Sequence, residues 1–311
     1  MSKDISHITM EDSFLKRYFA WSQERFPIDN VISGIITYFV MSRIALFLTD
    51  QSLDFVVMDL LGAVAVIGHY YILRVFDEHK DFEIDCINHP ERALQRGLIK
   101  LWHLDIMAAI FTVICVSFSL LISNNYLSLI CYGIVYIWSV LMAKEFFVGS
   151  WLEKRLTLYS FSHMLVSPLI IIWIFSTKWQ VPQFETYSII VLVMALTSGF
   201  SYEITRKTRG PEEESETLDS YTKIYGIGGS VLIISIMNII TLACFLYFTT
   251  LIPNLRGVTV GMGIAGFAAA QSTLLKFLKK PSLDGRKKNE KSFGLFALLL
   301  YVALLVGMYG N

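Results

Sequence analysis

About nine apolar stretches near spanning length, the sixth of them short, set the terms for this chain: Ile28 to Leu48, Leu53 to Phe76, Leu101 to Ile122, Tyr126 to Met142, Leu156 to Phe175, Tyr187 to Ser201, Ile227 to Leu251, Val258 to Leu278 and Phe293 to Met308. Hydrocarbon offers no water to backbone N–H and C=O groups, so a spanning segment must satisfy them internally, and about 20 residues of helix do so across the core. The expected fold is therefore all-α and integral to the membrane: a single nine-helix domain over 27–311, with a polar segment 1–26 before it. Composition agrees, with 54% hydrophobic and 17% charged residues and a mean hydropathy of +0.55. A net charge of +0 gives no global field to recruit nucleic acid, so a nucleic-acid partner is not expected.

Basic residues set the expected orientation. The N-terminal segment and the connections after the second, fourth, sixth and eighth stretches hold almost every Lys and Arg outside the spans, including Lys276, Lys279, Lys280, Arg286, Lys287, Lys288 and Lys291. By the positive-inside rule the N-terminus and these longer loops are cytosolic, and nine spans put the C-terminus outside. Within the N-terminal segment, Phe14, Leu15, Tyr18, Phe19 and Trp21 interleave with Lys16, Arg17 and Arg25, which suits a helix lying at headgroup level. Three prolines, Pro27, Pro168 and Pro253, are expected to start or kink helices, and the small-residue row Gly257, Gly261 and Ala265 is expected to allow close packing of the eighth helix. Arg43 and Asp59 fall at similar depth near the outer ends of the first two spans, where a buried ion pair is expected.

The second span runs directly into DEHKDFEID, from Asp77 to Asp85. On a helix, Asp77, Asp81 and Asp85 fall at i, i+4 and i+8, with Glu78 three residues before Asp81, so the carboxylates share one face. Like charges so close call for a cation, and Mg²⁺ favours one or two carboxylates together with substrate phosphates. An acidic stripe at the cytosolic surface therefore suggests diphosphate chemistry. A solvated acidic helix end is the plain alternative for such a stripe on its own.

A second polar constellation follows the sixth span: SYEITRKTRGPEEESETLDSYTKIYG, from Ser201 to Gly226. Glu203, Glu212, Glu213, Glu214, Glu216 and Asp219 stand there beside Arg206, Lys207, Arg209 and Lys223. Alone it reads as a charged loop with a Gly-Pro turn. Together with the first stretch it reads as the other jaw of a diphosphate clamp.

These features resemble the UbiA superfamily of intramembrane prenyltransferases, whose nine helices enclose a lipid-facing chamber beneath two acidic motifs. The family's first motif, NDxxDxxxD, is matched in spacing by Asp77, Glu78, Asp81 and Asp85, with Asp for the Asn and Glu for the next Asp. Arg92 and Arg96, in HPERALQRG, match the Pro- and Arg-containing stretch after that motif. WLEKRLT resembles the family's YxxxKR segment, with Ser150 where the Tyr should be, and it puts Lys154 and Arg155 forward as diphosphate contacts. The second motif departs further: in place of DxxxD there is Glu203, then RKTR, then Glu212 to Glu214.

The resemblance implies a Mg²⁺-dependent enzyme that moves a prenyl group from a prenyl diphosphate to a small lipophilic or aromatic acceptor within the bilayer. The implied catalytic and metal-holding residues are Asp77, Glu78, Asp81, Asp85 and Glu203, with Glu213 as a further metal ligand. The implied diphosphate contacts are Arg74, Arg92, Arg96, Lys154, Arg155, Arg206, Lys207 and Arg209. Candidates for lining the chamber include His69, Tyr70, Tyr136, Tyr159, His163 and Tyr202, whose rings could stabilise a cation. Three other readings stay open at this point: a membrane terpene cyclase using the same chamber without an acceptor, an ion or metal transporter with the acids as a filter, and a family member that has lost catalysis.

Overall fold

A computed structural model describes residue 5 and residues 7–122, 126–179, 181–214 and 219–310. Helices are the only regular structure among them: α1 (Phe14–Arg25), α2 (Ile28–Phe47), α3 (Met58–Asn88), α4 (Leu101–Ile122), α5 (Leu127–Ala143), α6 (Gly149–Glu153), α7 (Leu156–Met164), α8 (Val166–Ser176), α9 (Thr186–Lys207), α10 (Tyr221–Phe248), α11 (Arg256–Lys279) and α12 (Leu283–Tyr309). Eight helical segments among the described residues are long and apolar enough to cross a membrane, with α7 and α8 counted as one. The ninth expected span is α5, which at 17 residues sits at the lower limit of spanning length. The chain is a multi-pass, all-α integral membrane protein.

The chain divides into two compact units. The first holds 1–42, 54–147 and 176–180. Here α1 is started by Ser13, whose hydroxyl accepts the Lys16 N–H. It keeps Leu15 and Phe19 exposed and buries Trp21 completely, the two-faced pattern expected of an interfacial helix. Trp21 and Phe26 meet the Tyr71 ring edge-on, and the Tyr18 hydroxyl donates to that of Tyr71 at 2.8 Å. These contacts fix α1 against α3. Glycines let the spanning helices approach: a Cβ at Gly62 would fall 2.1 Å from the Tyr38 ring, and one at Gly68 2.5 Å from Phe111.

Asp59, completely buried, accepts from the Tyr38 hydroxyl at 3.0 Å and from the Lys178 ammonium at 2.8 Å. Arg43, its expected partner, belongs to the second unit. Lys178 is thus a partner that the pattern of spans did not single out for Asp59.

The second unit holds 43–53, 148–175 and 181–311. Its long helices pack as neighbours in sequence, α9 on α10 and α11 on α12. Ser201 donates to Asn238 at 2.7 Å and Thr197 bonds Thr241 at 2.8 Å, tying α9 to α10 through polar groups that would otherwise be unsatisfied in lipid. Pro168 has no N–H to return to residue 164, and the span breaks at Leu165 into α7 and α8.

One packing expectation is corrected. Gly257 and Gly261 have nothing within 4 Å of a built Cβ, and Ala265 is exposed. Close approach is made instead by Gly263, where a Cβ would meet the Phe245 ring at 2.3 Å, and by Gly266 against the Phe296 backbone. The helix turns this second small-residue row inward because Ala270, Leu274 and Phe277 continue the same buried face.

Candidate functional site

At 31 residues and about 1.5 Å per residue, α3 is roughly 46 Å long, well over the hydrocarbon thickness, so its last turns carry the acidic stripe clear of the apolar span. The stripe splits into two kinds of carboxylate. Glu78, 1% exposed, meets the Arg25 Nε at 2.5 Å and the Arg74 Nε at 3.2 Å. Asp85 meets Arg92 Nη1 at 2.5 Å and Arg25 Nη2 at 3.6 Å. Arg25 therefore bridges the two acids from the end of α1. Its neighbour Glu24 accepts the Ala93 N–H at 3.1 Å and approaches Arg92 at 3.9 Å, which anchors the segment after the stripe. Burial holds the Glu24 carboxyl above its ordinary range.

Asp77 and Asp81 are different. Their side chains are 50% and 40% exposed, and their cationic contacts are loose, Arg74 at 3.4 Å and Lys80 at 3.9 Å. They stand one helical turn apart on the same flank. Among the described residues no three acidic, His or Cys side chains form a closed metal cage. Mg²⁺ rarely needs one, since it takes one or two carboxylates and completes its shell with water and phosphate oxygens. The open Asp77 and Asp81 fit that requirement, and Glu78 Oε2, buried without a hydrogen-bond partner, leaves one more acceptor on the stripe.

Arg96 donates to the carbonyls of Ile5 and Ile8, at 2.9 and 2.7 Å, and so pins the N-terminal segment. Arg74 and Arg92 likewise spend contacts on the stripe itself. Of the candidates for lining a chamber in this unit, His69 lies beside Ser139 and against the Tyr132 ring, and Tyr70 donates to Thr37.

In the second unit, Glu203 is held by its own helix: Arg206 Nη2 and Lys207 Nζ each stand 2.8 Å from it, at i+3 and i+4. Lys207 also lies 5.4 Å over the Tyr159 ring, which stacks on His163 at 4.0 Å. The acids that follow are ties. Gly210 comes so close to the Ser282 backbone that a Cβ would sit 2.7 Å from it. Glu212 accepts the Leu283 N–H, Glu213 pairs with Arg286 at 2.8 Å, and Glu214 accepts from Ser220 at 2.7 Å. The Leu283 N–H holds the exposed Glu212 carboxyl below its ordinary range. Arg209 is fixed through its backbone, its N–H donating to Thr222 at 2.8 Å. Lys154 and Arg155 adjoin at the junction of α6 and α7, where the Arg155 guanidinium lies 4.2 Å over the Trp151 ring. Glu216 lies outside the described residues.

No family profile and no curated protein sequence matches the chain. Two solved structures share its architecture. One is that of a digeranylgeranylglyceryl phosphate synthase, 21% identical, with a TM-score of 0.62 over 95% of this chain and 98% of that one. The other is a UbiA homolog from Aeropyrum pernix K1, 13% identical, with a TM-score of 0.57 over 87% of this chain and 98% of that one. The chain has the UbiA fold.

On this UbiA fold, Arg25, Glu24 and Arg286 are the functional-region residues that sequence reasoning missed. Arg25 offered one signal, its place at a helix end two residues before Pro27. Arg286 lay within a run of lysines and carried none.

Proposed function

We propose that this chain is a divergent member of the UbiA superfamily, a Mg²⁺-dependent intramembrane prenyltransferase that joins a prenyl group from a prenyl diphosphate to a lipophilic acceptor. The observation that carries the reading is the open pair Asp77 and Asp81 at the end of α3, on a fold matched over nearly its whole length by a prenyl-lipid synthase. Asp77 and Asp81 would hold the ion, which would supply positive charge to the leaving diphosphate. The allylic C–O bond breaks with its electron pair leaving on the diphosphate.

In the second unit, taken by itself, Lys154, Arg155, Arg206, Lys207 and Arg209 offer charge-assisted hydrogen bonds to phosphate oxygens. Glu203 orients Arg206 and Lys207 for that task through its two 2.8 Å contacts. The allylic cation is then captured by an oxygen or carbon of the acceptor, which gives up a proton. Water is kept from the cation by the apolar helices.

The reading is tested by incubating purified protein in lipid nanodiscs with labelled prenyl diphosphates and a lipid extract as the acceptor source. A labelled, organic-soluble product that requires both Mg²⁺ and extract is expected. A labelled hydrocarbon formed without extract would make the chain a cyclase, and no turnover with any chain length would overturn the enzymatic reading.

A further inference from the structure

In the second unit, the end of α11 concentrates positive charge. Lys276 and Lys279 lie in its last turn and Lys280 follows as its C-cap, all three exposed. The acids of the adjoining segments are already engaged. Asp284 meets Lys288 at 2.6 Å, Glu213 meets Arg286 at 2.8 Å, Glu290 also pairs with Arg286, and Glu212 accepts the Leu283 N–H. Among the described residues no carboxylate pairs with Lys276, Lys279 or Lys280.

A shallow groove of about 420 Å³ runs from these lysines along one face of α11, lined by Ala268, Gln271, Ser272, Leu275, Lys276 and Lys279. The spacing i, i+3, i+4, i+7, i+8 and i+11 sets them in one stripe, opposite the buried Gly266, Ala270, Leu274 and Phe277. No acid lines it. Its polarity is graded along the helix: ammonium groups at the end, the Ser272 hydroxyl one turn deeper than Lys276, and Ala268 roughly 12 Å from Lys276 at about 1.5 Å per residue. Ala268 and Leu275 are exposed, and Ile264 extends the same exposed face along a helix of spanning length, so the apolar portion continues into the surface that α11 turns to the bilayer.

We propose that this groove binds an anionic phospholipid of the bilayer. Its phosphate lies between Lys276 and Lys279, with Lys280 adding charge at the rim. Its glycerol esters pass Ser272, and an acyl chain follows Leu275 and Ala268 along the helix. Cation, hydroxyl and hydrocarbon thus occur in the order in which a phospholipid presents phosphate, ester and chain, whereas a soluble anion would use only the first of them. A zwitterionic headgroup fits less well, because the groove has no carboxylate to receive its cation. The inference is independent of the reaction proposed above.

The test is native mass spectrometry of the full chain, delipidated and then supplied with either phosphatidylglycerol or phosphatidylcholine, alongside thermal melting in phosphatidylcholine. Retention of phosphatidylglycerol over phosphatidylcholine is expected in the wild type, and inorganic phosphate in excess should not displace it. Lys276→Gln combined with Lys279→Gln should weaken that retention about 25-fold, roughly fivefold for each lysine near an anionic headgroup. Lys100→Gln combined with Lys144→Gln, which removes the same charge from exposed positions of the first unit, should leave it unchanged. Both double variants should melt as the wild type does. Equal retention of the two lipids, wild-type retention in the α11 variant, equal losses in the two double variants, or displacement by phosphate would each overturn the proposal. Should the α11 double variant melt lower, Lys279→Gln alone decides it, with a fivefold loss expected and none overturning it.

Discussion

The two acidic stretches end similar spanning helices, yet they handle charge in opposite ways. At the end of α3 the acids recur every turn, and the arginines that meet the buried ones come from other segments, Arg25 from α1 and Arg92 from beyond the helix. Asp77 and Asp81 stay open, and the surface there is negative. At the end of α9 the single well-placed acid, Glu203, is flanked at i+3 and i+4 by its own cations, and the later glutamates fasten the loop to α12 and to its own turn. The surface there is left positive. Where an acid finds its counter-ion decides whether a stretch receives a cation or an anion, and composition alone does not reveal that.

The comparison breaks first at Asp81. Asp81→Asn should reduce turnover by about 10²- to 10³-fold, the usual loss when a group that stabilises developing charge is removed. Near-normal product formation in that variant would show that the α3 end does not hold the metal. Next comes Arg25→Ala, which leaves the buried Glu78 with Arg74 alone and should cost about 2 kcal/mol of stability, seen as a lower melting temperature. Arg25→Lys should recover part of it, and a melting curve unchanged by Arg25→Ala would mean the latch contributes nothing.

Lys207→Gln sharpens the contrast from the other side. It should raise KM for the prenyl diphosphate about tenfold, the loss of one charge-assisted contact, and leave the Mg²⁺ requirement as it was. A shifted Mg²⁺ requirement would place metal at α9 after all. The smallest effect is expected at Glu212. Its carboxyl is held below the ordinary value of 4.5 by the Leu283 N–H, so its contribution to stability is present above that pH and fades as pH falls through the lowered value. The melting difference between wild type and Glu212→Ala should accordingly shrink in acid; a constant difference would show that the charge plays no part.

Much of the fold was legible because lipid leaves so few options. The long apolar stretches became helices, although α3 ends at Asn88 where Phe76 was expected and α12 begins at Leu283 where Phe293 was expected, because polar residues extend those helices beyond the apolar run; Pro168 announced the break between α7 and α8. The inward face of α11 was not legible: Gly257 and Gly261 have the same small-residue spacing as a packing row, and only the neighbouring rings of Phe245 and Phe296 select Gly263 and Gly266 instead. The stripe from Asp77 to Asp85 could be read from its period. Its division into latched and open acids could not, because Arg25 lies 53 residues from Glu78. For the second stretch, the i+3 and i+4 spacing of Arg206 and Lys207 was visible in the sequence, whereas the pairing of Glu213 with Arg286, 73 residues away, was not.

The most direct test of the account is a Mg²⁺ titration of diphosphate release in nanodiscs, run on the wild type, Asp81→Asn and Glu203→Gln with the same prenyl diphosphate and acceptor. The account predicts that Asp81→Asn releases diphosphate about 10²- to 10³-fold more slowly at every Mg²⁺ concentration, while Glu203→Gln releases it moderately more slowly with the wild-type Mg²⁺ dependence. Robust release by Asp81→Asn, or a Mg²⁺ dependence displaced by Glu203→Gln and not by Asp81→Asn, would contradict it.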